Sequence, residues 1–227
     1  AYIGSISGYC LASMVGFLSL HFIKTSWSWR IPFIIPIFLL PALLYFGRYL
    51  KQTDVEPVVP LEHTRIVILF QHWRVLLKGV LLAIAGGVFY ASFFVFMVTY
   101  LHVYVGLALP TVFWLNAICL VCSAVTFYGF AYLADRWGKG RLLMASSLAT
   151  LLCLYPAYVL VHADLLIWVF MGMLLLILCD TAFQAAAYPT YVEIFPKSIR
   201  FIGCSLVYNI GAGIFAGLTP SLLVKLA

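Results

Sequence analysis

Apolar residues run in long blocks along this chain, and polar residues interrupt them only briefly. Seven blocks are long enough to cross a bilayer, at about 2–23, 31–50, 75–103, 109–133, 142–162, 165–192 and 200–224. A spanning helix needs roughly 20 predominantly apolar residues. No block shows the period-two alternation of a membrane barrel, and a helix satisfies its own backbone polar groups, as hydrocarbon requires. The third and sixth blocks exceed the minimum, which permits tilt or a kink and fixes neither. The pattern predicts an all-α membrane protein.

The one sizeable polar segment is 51–74. It opens as an extended linker, from Lys51 through Pro57 to Pro60, and then mixes apolar and basic residues from Glu62 to Arg74. That second part has the composition of a short helix lying on the membrane surface. A regulatory binding segment is the alternative, and a connector is the preferred reading. The expected division is therefore 1–50 with two spans, 51–74 as the linker, and 75–227 with five.

Composition agrees with the pattern. The chain is 65% hydrophobic and 9% charged, where a soluble domain is about one quarter charged. The net charge of +6 raises nucleic acid as a partner, but the placement of the charges argues against it. Threaded through seven spans, Arg48, Lys51, Arg65, Arg74, Lys78, Arg136, Lys139, Arg141, Lys197 and Arg200 fall on one side, and Lys24, Arg30 and Lys225 on the other. An excess of basic residues marks the cytoplasmic side. The first and last spans then both run from inside to outside. Trp27 and Trp29 sit at the outer interface, which suits amphipathic rings. Residue 1 is Ala and no signal peptide precedes the first span, so the chain is expected to begin inside a longer protein. All six cysteines lie in apolar spans. Cys119 and Cys122 form a C-x-x-C without a second such motif, which reads as small hydrophobic packing rather than a metal site. No cofactor and no metal are expected.

The chemistry that remains is sparse. Asp180 is the only acid deep inside a span. Intramembrane acids are costly and usually face a cavity or a partner. Gln184 and Tyr188 follow at i+4 and i+8, on the same helical face. Burial disfavours an ionised carboxyl, so Asp180 is the candidate proton carrier or substrate contact; a protonated acid in a helix–helix hydrogen bond is the structural alternative. In the third span, Tyr90 and Tyr100 stand among phenylalanines, a stripe that packs helices or lines a cavity suited to a quaternary ammonium. Asn116 and Asn209 are amides in apolar surroundings, either interhelical bonds or cavity donors. Gly4 with Gly8, and Gly213 with Gly217, have the spacing at which helix backbones approach closely.

Asp135 to Arg141 carries four charges in seven residues between two spans. It is expected to be a tight turn on one membrane face, with Gly138 and Gly140 permitting the reversal. Asp135 is placed to accept from the N-terminus of a neighbouring helix, and Arg136 to pair with Glu193. Such contacts would hold that face shut until broken; a solvated topology anchor is the simpler reading.

This turn resembles the cytoplasmic signature of the major facilitator superfamily, roughly G-x-x-x-D-R-x-G-R-R. Asp135, Arg136 and Gly138 match, Ala131 stands at the expected glycine, and Gly140 replaces the second basic residue with Arg141 just beyond. Trp29-Arg30-Ile31-Pro32-Phe33 is similar to the start of helix six in the metabolite/proton symporter branch, which includes proline/betaine, α-ketoglutarate and shikimate carriers. Residues 193–220 are similar to that branch's helix 10–11 junction and helix 11, through Glu193, Phe195, Pro196, Arg200, Gly203, Ser205, Tyr208, Asn209, Gly211, Phe215, Gly217 and Pro220. The resemblance implies a major facilitator-type bundle with seven of its twelve helices here, numbers 5 to 11.

It also implies a multi-pass protein of the bacterial inner membrane, not an enzyme, that carries a small molecule by alternating access. Its partners would be the substrate, the bilayer and the remaining helices of the transporter, with a proton as coupling ion. On this reading Asp180, Gln184, Tyr90, Tyr100 and Asn209 serve substrate and proton, and Asp135, Arg136, Arg141, Glu193 and Arg200 form a cytoplasmic gate. An osmolyte zwitterion is favoured over a dicarboxylate, because no mid-span Arg or Lys is present to hold an anion. Three other readings compete with it. An intramembrane enzyme lacks a Ser/His or paired-Asp arrangement on facing spans, since Asp180 stands alone. A seven-helix receptor or sensor is disfavoured by the inside N-terminus. The third is a non-functional truncated product, which an intact upstream frame encoding four more spans would exclude.

Overall fold

The computed structural model describes residues 2–22, 30, 34, 37, 40–41, 44–47, 72–196 and 199–226. Six helices among them are long and apolar enough to cross a membrane. In chain order they are α1 (Tyr2–Phe22), α2 (Trp73–Val103), α3 (Leu109–Trp137), α4 (Lys139–Val161), α5 (Leu166–Glu193) and α6 (Arg200–Leu226). The fold is an all-α membrane bundle. The expected span 31–50 and linker 51–74 lie mostly outside the described residues, as do Trp29 and Ile31–Phe33.

Each helix starts and stops for a local reason. Pro110 sits in the first turn of α3, where a missing N–H costs nothing. α3 and α4 are separated by a single residue, Gly138, whose φ of 93° favours glycine. Its N–H donates to Ala134 O at 3.0 Å and its carbonyl accepts from Leu142 N at 3.2 Å. The expected seven-residue turn is therefore one residue long. Asp135 and Arg136 belong to the last turn of α3, and Lys139 to Arg141 to the first turn of α4. Gly140 is helical and takes no part in the reversal.

α5 is the central helix among the described residues, packed against α4, α3 and α2, while α1 lies along α3. Its buried surface runs from Val169 to Tyr191. Polar pairs tie the helices where hydrocarbon offers no other partner. Asn116 Nδ2 donates to Ser13 Oγ at 3.1 Å, joining α3 to α1. Ser123 and Thr181 hydroxyls are 2.8 Å apart, joining α3 to α5.

Two helices are interrupted. α2 contains a π turn at Ala91–Phe96 and α6 one at Asn209–Phe215. Each carries a polar side chain that donates to the carbonyl four residues back: Ser92 Oγ to Val88 O at 2.7 Å and Asn209 Nδ2 to Ser205 O at 2.8 Å. Such back-bonding competes with the helical ladder, and π turns collect at functional sites.

Close helix packing falls on different glycines from those expected. Gly4, Gly8, Gly213 and Gly217 have open space where a Cβ would stand. The tight crossing is between α2 and α6. A Cβ at Gly211 would come within 2.4 Å of Ala83, and one at Gly87 within 2.7 Å of Gly211 O. Gly211→Ala should therefore cost about 1–3 kcal/mol, the usual range for overpacking, and lower the thermal unfolding midpoint of the purified protein. Gly213→Ala should leave it unchanged. Equal midpoints for the two variants would contradict the crossing.

Candidate functional site

The helices α1, α2, α5 and α6 line a half-open cavity of about 320 Å³. Its walls are aromatic and hydroxylated, with Tyr9, Tyr90, Tyr188, Tyr191 and Tyr208 around Gln184. Tyr9 of α1 packs against Tyr90 of α2 with ring centroids 5.1 Å apart. Tyr188 meets Tyr191 at 6.0 Å and Tyr208 at 6.4 Å. Both π turns reach this space: Ala91 and Val95 line it from α2, and Ala212 from α6. Tyr191 donates to Leu82 O at 3.3 Å, which fixes its ring against α2.

Asp180 lies behind this wall. It is fully buried, at 0% exposure, and does not line the cavity itself. Gln184 connects the two: its Nε2 donates to Asp180 Oδ1 at 3.2 Å and to Gly86 O, across on α2, at 3.0 Å. Asp180 Oδ2 has no hydrogen-bond partner among the described residues. A buried carboxyl with one oxygen bonded and one open can hold a proton or receive one, separated from the cavity by a single side chain.

The structure brings together Asp180, Gln184 and Tyr90, with Tyr188 on the same face of α5. Tyr100 is elsewhere. Ten residues beyond Tyr90, at 1.5 Å per residue, it stands about 15 Å further along α2, where its hydroxyl is 3.2 Å from His162 Nε2 at the end of α4. Asn209 is also outside the cavity. Its neighbour Tyr208 faces in, so Asn209 is turned away, exposed, and bonded to its own helix. Asn116 joins helices and is not a cavity donor. Tyr9, Tyr191 and Tyr208 were not among the expected site residues. Ser5 with Tyr9 at i+4, and Tyr188 with Tyr191 at i+3, are the sequence signals for Tyr9 and Tyr191; Tyr208 has none of that kind.

At the turn, the expected pairing of Arg136 with Glu193 does not form. Lys139 Nζ binds Glu193 Oε1 instead. Lys139 opens α4, which runs alongside α5, whereas Arg136 closes α3 and lies over the Tyr132 ring, 5.6 Å from its centroid. Asp135 and Arg141 are exposed and neither forms an ion pair among the described residues. Arg200 Nε donates to Phe195 O at 3.3 Å.

Membrane-length helices thus stand around a polar aromatic cavity, with a buried acid one side chain behind its wall. The chain belongs to the Major Facilitator Superfamily, whose family model matches residues 3–223. It is a multi-pass protein of the bacterial inner membrane. It is 28% identical over 239 residues to the proline/betaine transporter of Salmonella typhimurium (strain LT2), covering 96% of this chain and 47% of that protein. It is 25% identical to the shikimate transporter of Escherichia coli (strain K12), covering 99% and 53%, and 25% identical to the citrate-proton symporter of Salmonella typhi, covering 99% and 52%. The chain spans about half the length of the curated relatives it matches. No solved structure matches it significantly.

The pairing at the turn is open to a charge-swap test. Lys139→Glu and Glu193→Lys should each lower stability slightly, by no more than about 1 kcal/mol for so exposed a pair, and the double variant should recover the loss. Arg136→Glu should gain nothing from Glu193→Arg. Thermal unfolding in lipid nanodiscs measures both cycles, and recovery in the Arg136 cycle alone would refute the assignment.

Proposed function

We propose that the protein carrying this chain is a secondary active transporter that couples a proton to symport of a small polar metabolite by alternating access. The observation that carries this reading is the Asp180–Gln184 hydrogen bond, which joins a fully buried acid to the wall of a tyrosine-lined cavity. Binding a proton at Asp180 changes the charge behind that wall and so the cavity's preference for a bound cation. That differential affinity is what lets a ligand and a proton bias the same pair of states. In such folds the substrate sits near the midplane between helical repeats.

A zwitterion is favoured over a dicarboxylate. The tyrosine faces attract cations, an acid stands close behind them, and no Lys or Arg lines the cavity among the described residues. The relatives' names include both kinds of substrate, proline and betaine on one side and citrate on the other, so the preference rests on the cavity's chemistry. Lys139 with Glu193, beside Asp135, Arg136, Arg141 and Arg200, is the candidate gate at the end of the bundle away from the Tyr100–His162 contact.

The test uses membrane vesicles bearing the protein under an imposed proton gradient, with radiolabelled proline, betaine and a dicarboxylate offered in turn. Uptake of a zwitterion should follow the gradient. Asp180→Asn should reduce gradient-driven accumulation at least tenfold while the protein remains in the membrane. Accumulation by the variant equal to that of the wild type would sink the coupling role.

A further inference from the structure

The Gln184 amide has only one orientation that its neighbours allow. Its Nε2 lies 3.0 Å from Gly86 O and 3.2 Å from Asp180 Oδ1. A backbone carbonyl can only accept, so the group facing Gly86 O is the NH2, whatever the protonation of Asp180. Both amide hydrogens are thereby used within the protein. The other end of the amide, Oε1, accepts no hydrogen bond among the described residues. Among the described residues, the buried side-chain atoms sealed away without a partner are Asn116 Oδ1 and Asp180 Oδ2. Gln184 Oε1 is not one of them, and Gln184 lines the cavity, so this acceptor is reached from the cavity.

Gly86 keeps the approach open. A Cβ there would stand 3.3 Å from Gln184 Oε1 and 3.2 Å from the Tyr191 hydroxyl, close enough to cover the amide oxygen.

We propose that Gln184 Oε1 is a specificity determinant that selects a protonated amine retaining at least one N–H over a fully methylated ammonium. The inference rests on the zwitterion-transporter reading above and narrows its substrate class to amino or imino acids. Tyrosine faces attract any cation, methylated or not, and so do not discriminate by themselves. The fixed acceptor does. An ammonium N–H pairs with Oε1, whereas a quaternary ammonium displaces water from it and leaves it unpaired. A site built around such a bond rejects the analogue lacking the donor.

One ring system supplies the probes. Proline has two N–H groups on its protonated nitrogen, N-methylproline one, and N,N-dimethylproline none. Their apparent dissociation constants come from ligand-induced thermal stabilisation of the purified protein in lipid nanodiscs. Proline and N-methylproline should bind within about threefold of each other, and N,N-dimethylproline about tenfold or more weakly, the scale of one hydrogen bond to a charged group. Gln184→Met should bring all three within about threefold. Gly86→Ala, which covers the acceptor without removing it, should narrow the gap in the same direction and serves if the Met variant does not fold.

Equal binding of proline and N,N-dimethylproline by the wild type overturns the proposal, as does an undiminished preference in both variants; a purely steric effect of the second methyl group gives the latter. If none of the three stabilises the folded protein, the selection rule falls with the zwitterion preference. Proton-driven uptake of a dicarboxylate would then leave the transporter reading standing.

Discussion

A polar side chain in hydrocarbon has only other protein groups to bond, and in this bundle the side chain most constrained by that rule is Gln184. One amide nitrogen satisfies a carbonyl of α2 and an acid of α5 at once. The cavity wall, the reach to Asp180 and the approach of α2 to α5 all depend on it. A Cβ at Gly86 would press on the amide oxygen at 3.3 Å, so the glycine leaves that oxygen uncovered. The acid is left half-satisfied, and an unmet acceptor in the interior is costly. Protonation at the open oxygen removes the charge, which is the larger part of that cost.

The width of the cavity has a separate cause. α2 and α6 touch backbone to backbone where Ala83 and Gly87 meet Gly211, and the π turn in each helix begins within a few residues of that contact. A π turn adds a residue to a turn and locally opens the ladder, so the helix beyond it is rotated relative to an ideal one. The crossing pins the two helices together, and the turns set how the walls diverge from that point, with Ala91 and Ala212 facing the space between. Ser92 and Asn209 hold those turns through their own carbonyl bonds. Asn209 thus bears on the cavity by shaping the helix rather than by lining it.

Much of this was legible in the sequence, for physical reasons. Six of the apolar blocks became helices with nearly the expected limits, because a run of twenty apolar residues has few other ways to satisfy its backbone in lipid. Asp180, Gln184 and Tyr188 could be placed on one face because the period of a helix is fixed. Those interpretations failed that needed distance between helices. Which glycines touch depends on which faces meet, and spacing alone does not separate Gly213, which is open, from Gly211, which is in contact. Composition groups Tyr100 with Tyr90, although the rise of the helix separates them. Tyr9 and Tyr208 join the cavity from opposite ends of the sequence, and nothing local to either announces the other. The turn at Gly138 is a single residue although four charges cluster around it, because Asp135, Arg136, Lys139 and Arg141 sit in helix ends rather than in a loop.

That turn shows how differently the two polar centres are held. Lys139 lies at the N-terminus of α4 and Glu193 at the C-terminus of α5, each at the end where its own helix dipole disfavours its charge. The helices are antiparallel neighbours, so each charge offsets the other's misplacement. The side chains remain 26% and 60% exposed, and water and salt compete with the bond. Such a contact is easily exchanged for solvent, whereas the Gln184 Nε2 bonds are buried between α2 and α5. In a protein proposed to alternate between two facing states, the contact that can break belongs at the rim and the one that must persist belongs at the cavity wall. The positions of these two pairs follow that division.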